Sequence, residues 1–401
     1  MPHNICITGY GVITALGNNA HQNFNALKQG RHGVSKLELI ESIHKNELLV
    51  GEIKLTNDEL KAKADLKKVS VNTRGTLLAI IAVKEAIKQA KLTPQQLENT
   101  ALISGTSVGG MDLFEQGFKY VVEGEAENPK YYFSEHDCGN LNLKIATEMG
   151  LKTYATTIST ACSSSANAIL LGAKMIKAGM VERAIVGGSD ALSKFTINGF
   201  NTLGILDTKH TQPFDENRAG LNLGEGAGYL VIESEKVVAN KEKLGYITGW
   251  GNANDAFHQT ASSEEAVGAK MAIEKALKVA QIKPQEIDYI NTHGTGTPNN
   301  DESESKAIID IFGKDKLPVF NSLKPFTGHT LAACGSIETI YSLFSMNENM
   351  VFPSLNFKTP IKGRNLEPTT KLIENKEIKH VLSNSLGFGG NCTSLIISKK
   401  A

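Results

Sequence analysis

The run Ile158-Ser159-Thr160-Ala161-Cys162-Ser163-Ser164-Ser165-Ala166-Asn167-Ala168-Ile169 seats one cysteine between a strand and a helix. Upstream, Tyr154-Ala155-Thr156-Thr157-Ile158 is short and β-branched, as a buried strand would be. Downstream, Ala166 to Lys177 is rich in helix formers, and Gly179 supplies a stop. A thiol at this junction lies beside free helix N–H groups and the positive end of a helix dipole, both of which favour thiolate. The position equally suits a small core cysteine, so the run alone leaves nucleophile and packing open.

The 401 residues suffice for two domains or for two similar halves sharing one large core. Hydrophobic residues make up 41% and charged ones 21%, and 37 glycines supply many tight turns, which together describe a globular α/β protein. Forty-two basic residues balance 42 acidic ones, so no overall charge invites a nucleic acid. The opening MPHNICITGYGVITALG lacks the regions of a signal peptide, and no apolar run reaches membrane-spanning length. A cytoplasmic protein is expected. Five scattered cysteines, Cys6, Cys138, Cys162, Cys334 and Cys392, include no CxxC pair, which argues against disulfides and against a metal site.

In chain order, Asn4 to Thr8 reads as a strand ending in Gly9-Tyr10-Gly11, and a helix is expected over about Val71 to Lys91. Thr100 to Ser104 is a strand, Asp112 to Asn142 an excursion of short helices and loops, and Arg183 to Val186 a short strand running into Gly187-Gly188-Ser189-Asp190. The order then repeats. Tyr246 to Ala253 echoes Cys6 to Ile13, a helix over Glu264 to Val279 echoes the one from Val71, and Ile287 to Thr295 answers Ala101 to Val108. Val319 to Leu323, with Cys334 beyond it, answers the Cys162 run, and His380 to Ser385 answers Ile185 to Asp190. Two related α/β halves, residues 1–240 and 241–401, are expected about a pseudo-twofold axis that brings equivalent strand ends together.

Two further clusters carry chemistry. Asn291-Thr292-His293-Gly294-Thr295-Gly296-Thr297-Pro298-Asn299-Asn300-Asp301 follows an apolar strand, so His293 falls at a strand end where glycines admit a ligand. Thr295 and Thr297 offer hydroxyls either to an amide-bearing ligand or to their own turn. In Asn321-Ser322-Leu323-Lys324-Pro325-Phe326-Thr327-Gly328-His329-Thr330-Leu331-Ala332-Ala333-Cys334-Gly335-Ser336-Ile337-Glu338, the charges sit among small apolar residues, and Lys324 pairs naturally with Glu338. That pair reads as structural or as catalytic. Cys334 reads as packing.

The runs ISTACSSSANAI, NTHGTGTPNND, NSLKPFTGHTLAACGSIE and NSLGFGG resemble those of β-ketoacyl-acyl-carrier-protein synthases, the elongating type I/II branch of the thiolase superfamily, and the resemblance spans essentially the whole chain. It implies a thiolase-like fold with α-β-α-β-α layers and a decarboxylative Claisen condensation. By that resemblance Cys162 accepts an acyl group, His293 and His329 act on a malonyl unit, Lys324 and Glu338 support them, and Phe388 is a gatekeeper. The N–H of Phe388 would join that of Cys162 in an oxyanion hole. Thr295 and Thr297 match positions that hold a phosphopantetheine arm, and Val108 and Phe200 match positions lining an acyl pocket.

The implied partners are an acyl carrier protein with acyl and malonyl thioesters, and a second copy or a related subunit. No cofactor is implied beyond the carrier's phosphopantetheine. Lys61, Lys63, Lys67 and Lys68 offer a basic docking surface for an acidic carrier or simply a solvated helix start. Ser159, Leu386 and Pro325-Phe326 depart from the family's usual residues, which leaves chain length and the choice of fatty acid, polyketide or polyene open. One rival is a non-catalytic chain-length-factor-like subunit, against which Cys162 and both histidines argue. A thiolase, which would use a second cysteine such as Cys392, and an initiating synthase with a Cys-His-Asn site are the others.

Overall fold

The computed structural model describes residues 4–71, 73–124, 133–238 and 240–401. The expected excursion from Asp112 to Asn142 therefore lies partly outside the described residues. Ten strands form one sheet: β1 (Ile5–Thr14), β2 (Ala101–Gly105), β3 (Ala155–Ile158), β4 (Arg183–Asp190), β5 (Gly226–Ser234), β6 (Gly245–Asn254), β7 (Tyr289–Asn291), β8 (Val319–Asn321), β9 (His380–Leu386) and β10 (Asn391–Ser398). Their order is β8-β7-β9-β10-β6-β1-β5-β4-β2-β3. Outward from the β1/β6 junction, each half therefore shows its own first, fifth, fourth, second and third strand. The repeat in the sequence is one chain path drawn twice. The half-sheets join through a short antiparallel pairing of Cys6 with Tyr246 and Ile7 with Gly245.

Helices complete five layers. Among them, α1 (Arg74–Ala90) covers β1 and β5 on one outer face, while α3 (Val267–Ala280) covers β6 and β10 on the other. Between the half-sheets lie α2 (Ser164–Lys177) and α5 (Cys334–Glu348), and α4 (Pro298–Phe312) packs beside α3. Every residue of α5 from Cys334 to Met346 is buried. Two of its hydroxyls bond within the helix, Thr339 to the Gly335 carbonyl at 2.7 Å and Ser342 to the Glu338 carbonyl at 2.8 Å. A helix dotted with Ser and Thr can thereby sit in a dry layer.

The glycines after Thr8 do not end the first strand, which continues to Thr14. They let a helix ride on it. A Cβ at Gly9 would fall 2.3 Å from the Ala86 carbonyl oxygen, and one at Gly11 2.0 Å from that of Ala82. The second half uses the same device, with Gly249 2.5 Å from the Ala276 carbonyl and Gly251 2.0 Å from that of Ala272. Likewise β4 runs on to Asp190 through Gly187 and Gly188, which are needed for close approach to Gly228 and Gly105. The run upstream of Cys162 is corrected as well. Instead of being buried, β3 is one of the two edge strands of the sheet, with Ala155 exposed and Tyr154 48% exposed before it. Its β-branched residues suit a pleated surface, whether buried or not.

Gly11→Ala and Gly251→Ala are each expected to destabilise the fold by about 3 kcal/mol or more through forced helix displacement. Gly199→Ala meets nothing within 4 Å and is expected to be neutral or slightly stabilising. Urea unfolding of the three variants checks the contrast.

Candidate active site

Cys162 lies at the entry to α2 and is 5% exposed. Ala161 before it is left-handed, with φ +52°, a conformation that costs an alanine about 1–2 kcal/mol. Hydrogen bonds hold that kink: the Ser164 hydroxyl donates to the Ala161 carbonyl at 2.6 Å and accepts the Thr160 N–H at 2.9 Å. The tight turn carries the thiol out of the strand line and into a cavity of about 310 Å³.

His293 follows the end of β7, where Glu304 of α4 accepts the N–H groups of His293 and Gly294, both at 2.9 Å. His329 follows Gly328, whose φ of +72° turns the chain, and its peptide is fastened by Asn222 and Gly224. The three side chains meet: Cys162, His293 and His329 each offer a donor atom within 4.8 Å of the other two. The two rings stand edge to face, with centroids 5.5 Å apart.

Local partners set both imidazole tautomers. Nδ1 of His329 accepts the Leu331 N–H at 3.0 Å, so the ring proton resides on Nε2. Nδ1 of His293 faces the Lys324 ammonium at 3.3 Å, which again leaves the proton on Nε2. Burial, with help from Lys324 and His329, holds the His293 pKa well below its ordinary value. A neutral imidazole results. Both rings thus offer N–H donors rather than lone pairs, which suits a developing oxyanion better than a metal ion.

Lys324 lies behind His293, also donates to the His293 carbonyl, and meets Glu338 at 2.6 Å with both side chains buried. Burial opposes its charge, but Glu338 and other nearby groups outweigh that and the Lys324 pKa is raised. Thr295, Thr297, Phe200 and Phe388 all line the cavity. The two threonine hydroxyls bond each other at 2.8 Å, and the Phe200 and Phe388 rings stack with centroids 5.7 Å apart. Val108, like Phe200, packs against the apolar cluster that contains Leu192 and Leu221, but it is not among the residues around this cavity.

Sequence reasoning missed Glu304, whose pKa burial lifts to about 7 although the Gly294 and His293 N–H groups pull it down. It also missed the buried Asp190, which accepts Thr106, Ser107 and Ala332 and so ties the β2 turn to the turn before α5. Asp190 ends an apolar, Gly-rich run and could have been singled out on that ground, whereas Glu304 lies in the polar run Asn299 to Lys306, where nothing distinguishes it from its neighbours. Cys334 lies 3.6 Å from His329 Nδ1, closer to the site than a mere packing residue need be, while burial pushes its thiol up to about 12. Cys392 lines the cavity too, and burial likewise pushes its thiol up to about 12. Such thiols stay protonated at neutral pH, so Cys392 is poorly placed to serve as the second cysteine of a thiolase.

Residues 3–237 match the family model for the beta-ketoacyl synthase N-terminal domain, and residues 244–358 match that for the C-terminal domain. The chain belongs to the beta-ketoacyl synthase family. This ketosynthase is 32% identical to 3-oxoacyl-[acyl-carrier-protein] synthase 2 of Staphylococcus aureus (strain COL) over 98% of both chains. It is 29% identical to the synthase of that name from Vibrio harveyi over 99% of both. Among solved structures, the ishigamide ketosynthase/chain length factor aligns over 100% of both chains with TM-score 0.93 and 28% identity. The ketosynthase ApeO, in complex with its chain length factor ApeC from Xenorhabdus doucetiae, aligns over 99% of this chain and 98% of that one with TM-score 0.87 and 30% identity. The ketosynthase is thus an acyl-transferring condensing enzyme with its cysteine in place.

Lys324→Met strands a buried Glu338 and is expected to cost about 3–5 kcal/mol, most of it recovered in Lys324→Met/Glu338→Leu. Denaturant titration reads both. Because the folded His293 pKa lies below 6.5, the unfolded chain takes up a proton that the folded one refuses, so this group's contribution to stability is lost as pH falls below 6.5. Melting temperature should therefore drop less on acidification in His293→Asn than in the parent.

Proposed function

We propose that the protein elongates carrier-bound acyl chains by two carbons, with Cys162 as nucleophile and His293 and His329 as the enolate-stabilising pair. The observation that carries this reading is the convergence of one thiol and two imidazoles within 4.8 Å at one cavity. In the first step the Cys162 thiolate attacks an acyl thioester, a new C–S bond forms, and the carrier's thiol leaves with a proton. The N–H groups of Cys162 and Phe388 would bind the tetrahedral oxyanion. In the second step a malonyl thioester loses CO2, and the electron pair of the broken C–C bond becomes an enolate whose oxygen accepts from His293 and His329. The enolate carbon then attacks the acyl carbonyl, and Cys162 departs as thiolate. Lys324, through its bond to His293, keeps that imidazole neutral and oriented, and Glu338 keeps Lys324 charged.

An acyl carrier protein delivers both substrates in this reading, its phosphopantetheine arm lying along Thr295 and Thr297, so no resident cofactor is required. The relatives named as acyl-carrier-protein synthases support it. Lys63 and Lys68 are exposed, and Lys61 and Lys67 pair with the surface acids Asp58 and Asp65, which leaves the segment 61–68 available to an acidic carrier. The open edge of β3, with Tyr154 48% exposed just before it, supports assembly with a second copy or a related chain. Among the described residues no helix is long and apolar enough to cross a membrane, and we place the enzyme in the cytoplasm. A chain-length-factor role gains nothing from a site that retains its thiol and both imidazoles.

Mass spectrometry of the protein after incubation with a panel of acyl-carrier thioesters, then with malonyl-carrier, tests the reading. Acylation of Cys162, absent in Cys162→Ala, followed by release of a chain two carbons longer, is expected. Failure of every acyl carrier to load Cys162 would refute it. His329→Ala should load normally but lose decarboxylation by about 100-fold or more.

A further inference from the structure

The turn that carries Phe388 and the turn that carries Cys162 belong to opposite halves of the chain, and one side chain fastens them together. The Asn391 side-chain oxygen accepts the Ser163 hydroxyl at 2.8 Å, Asn167 at 2.9 Å, Asn252 at 2.9 Å and the Thr393 hydroxyl at 3.4 Å. Ser163 is the residue after the nucleophile, and Asn167 lies one turn further along α2. The Asn391 backbone carbonyl meanwhile accepts the Gly387 N–H at 2.8 Å, which closes the turn over Phe388. The two backbones are in close contact there. A Cβ at Gly387 would fall 2.7 Å from the Thr160 carbonyl and 3.3 Å from the Cys162 nitrogen.

An amide oxygen has two lone pairs, which the Asn167 and Asn252 amides fill, while the Ser163 hydroxyl shares its one proton with the Thr160 carbonyl at 2.7 Å and the Thr393 hydroxyl shares its own with the Asn167 oxygen at 2.9 Å. We infer that Asn391 is a positioning residue that sets the spacing between the Cys162 and Phe388 N–H groups, and hence the geometry of the oxyanion hole. The inference rests on the oxyanion role proposed above for those two N–H groups. Asn391 touches neither thiol nor substrate. It acts by holding Ser163 with its side chain and Gly387 with its main chain, and Asn252 braces the arrangement from β6, donating also to Asn167 at 3.0 Å. A donor pair displaced by about an ångström loses much of its hold on the transition state, which corresponds to a loss of about 100-fold.

Two reactions of the same thiol separate positioning of the hole from general damage. Transfer of an acyl group from an acyl-carrier thioester passes through an oxyanion, whereas alkylation by iodoacetamide, in which the thiolate displaces iodide at a saturated carbon, does not. In Asn391→Ala, acyl transfer to Cys162 is expected to fall about 10–100-fold, mainly in kcat, while the alkylation rate stays within about threefold of the parent. Asn391→Asp keeps the acceptor and should retain acyl transfer within about threefold of the parent. If Asn391→Ala does not fold, Asn391→Ser, which keeps a shorter acceptor, carries the same comparison. Equal acyl transfer in the alanine variant and the parent would overturn the inference, as would a parallel fall in alkylation, which would place the role at the thiol itself. A parent enzyme that never loads Cys162 would sink the proposed function instead.

Discussion

Gly335 of α5 lies so close to Ala166 of α2 that a Cβ on it would fall 2.7 Å from the Ala166 side chain. Beside this contact the Ser336 N–H donates to the Ser165 hydroxyl at 3.0 Å. The two helices of the central layer are thus locked at their first turns, and the rest of the arrangement follows. Cys162 precedes one helix and His329 the other, so the crossing that brings the helix starts together also brings thiol and imidazole together. No larger residue at Gly335 could maintain that distance. Each helix is anchored to its own half-sheet, and the lock therefore joins the two halves at the point where the chemistry occurs.

The buried charges of this centre each have a partner. Lys324 is paired with Glu338, Glu304 accepts two backbone N–H groups of the His293 loop, and Asp190 collects donors from the β2 turn and from Ala332. Away from the cavity, Arg74 on α1 meets Glu225 at 2.7 Å beneath the first half-sheet. These bonds do more than offset the cost of burial. The Lys324 ammonium leaves the His293 proton on Nε2, as the Leu331 N–H does for His329, and such fixed dipoles act more strongly in a buried site than in water.

The cysteines show how location, rather than residue type, sets reactivity. Cys6, Cys334 and Cys392 are each pushed up to about 12 chiefly by burial, and Cys334 keeps that value although Lys324 pulls it down. Cys162 alone among the five stands at a kinked helix entrance facing two imidazoles. Its counterpart in the second half, Cys334, starts a helix in the same way but is turned into the packed interior. Pseudo-symmetry of the backbone leaves the two positions free to take different tasks.

Much of this was legible in residue order alone. The repeat of strand, glycine pair, helix and strand announced two alike halves, and Cys162, His293, Lys324 and His329 stood out as polar residues at the ends of apolar runs, because local periodicity and turn chemistry depend on near neighbours. Other features could not be read that way. Gly9 and Gly11 looked like a turn and are a landing for α1; β3 looked buried and is an edge. Each depends on which distant segment packs alongside. Asn391 is the plainest case, since nothing near it in the chain reveals that its oxygen faces Ser163, 228 residues away. Sequence determined which elements form and which residues could react, since both are local properties. Only the tertiary structure decided which of them meet, because contacts across the central layer arise from packing two half-sheets around two helices.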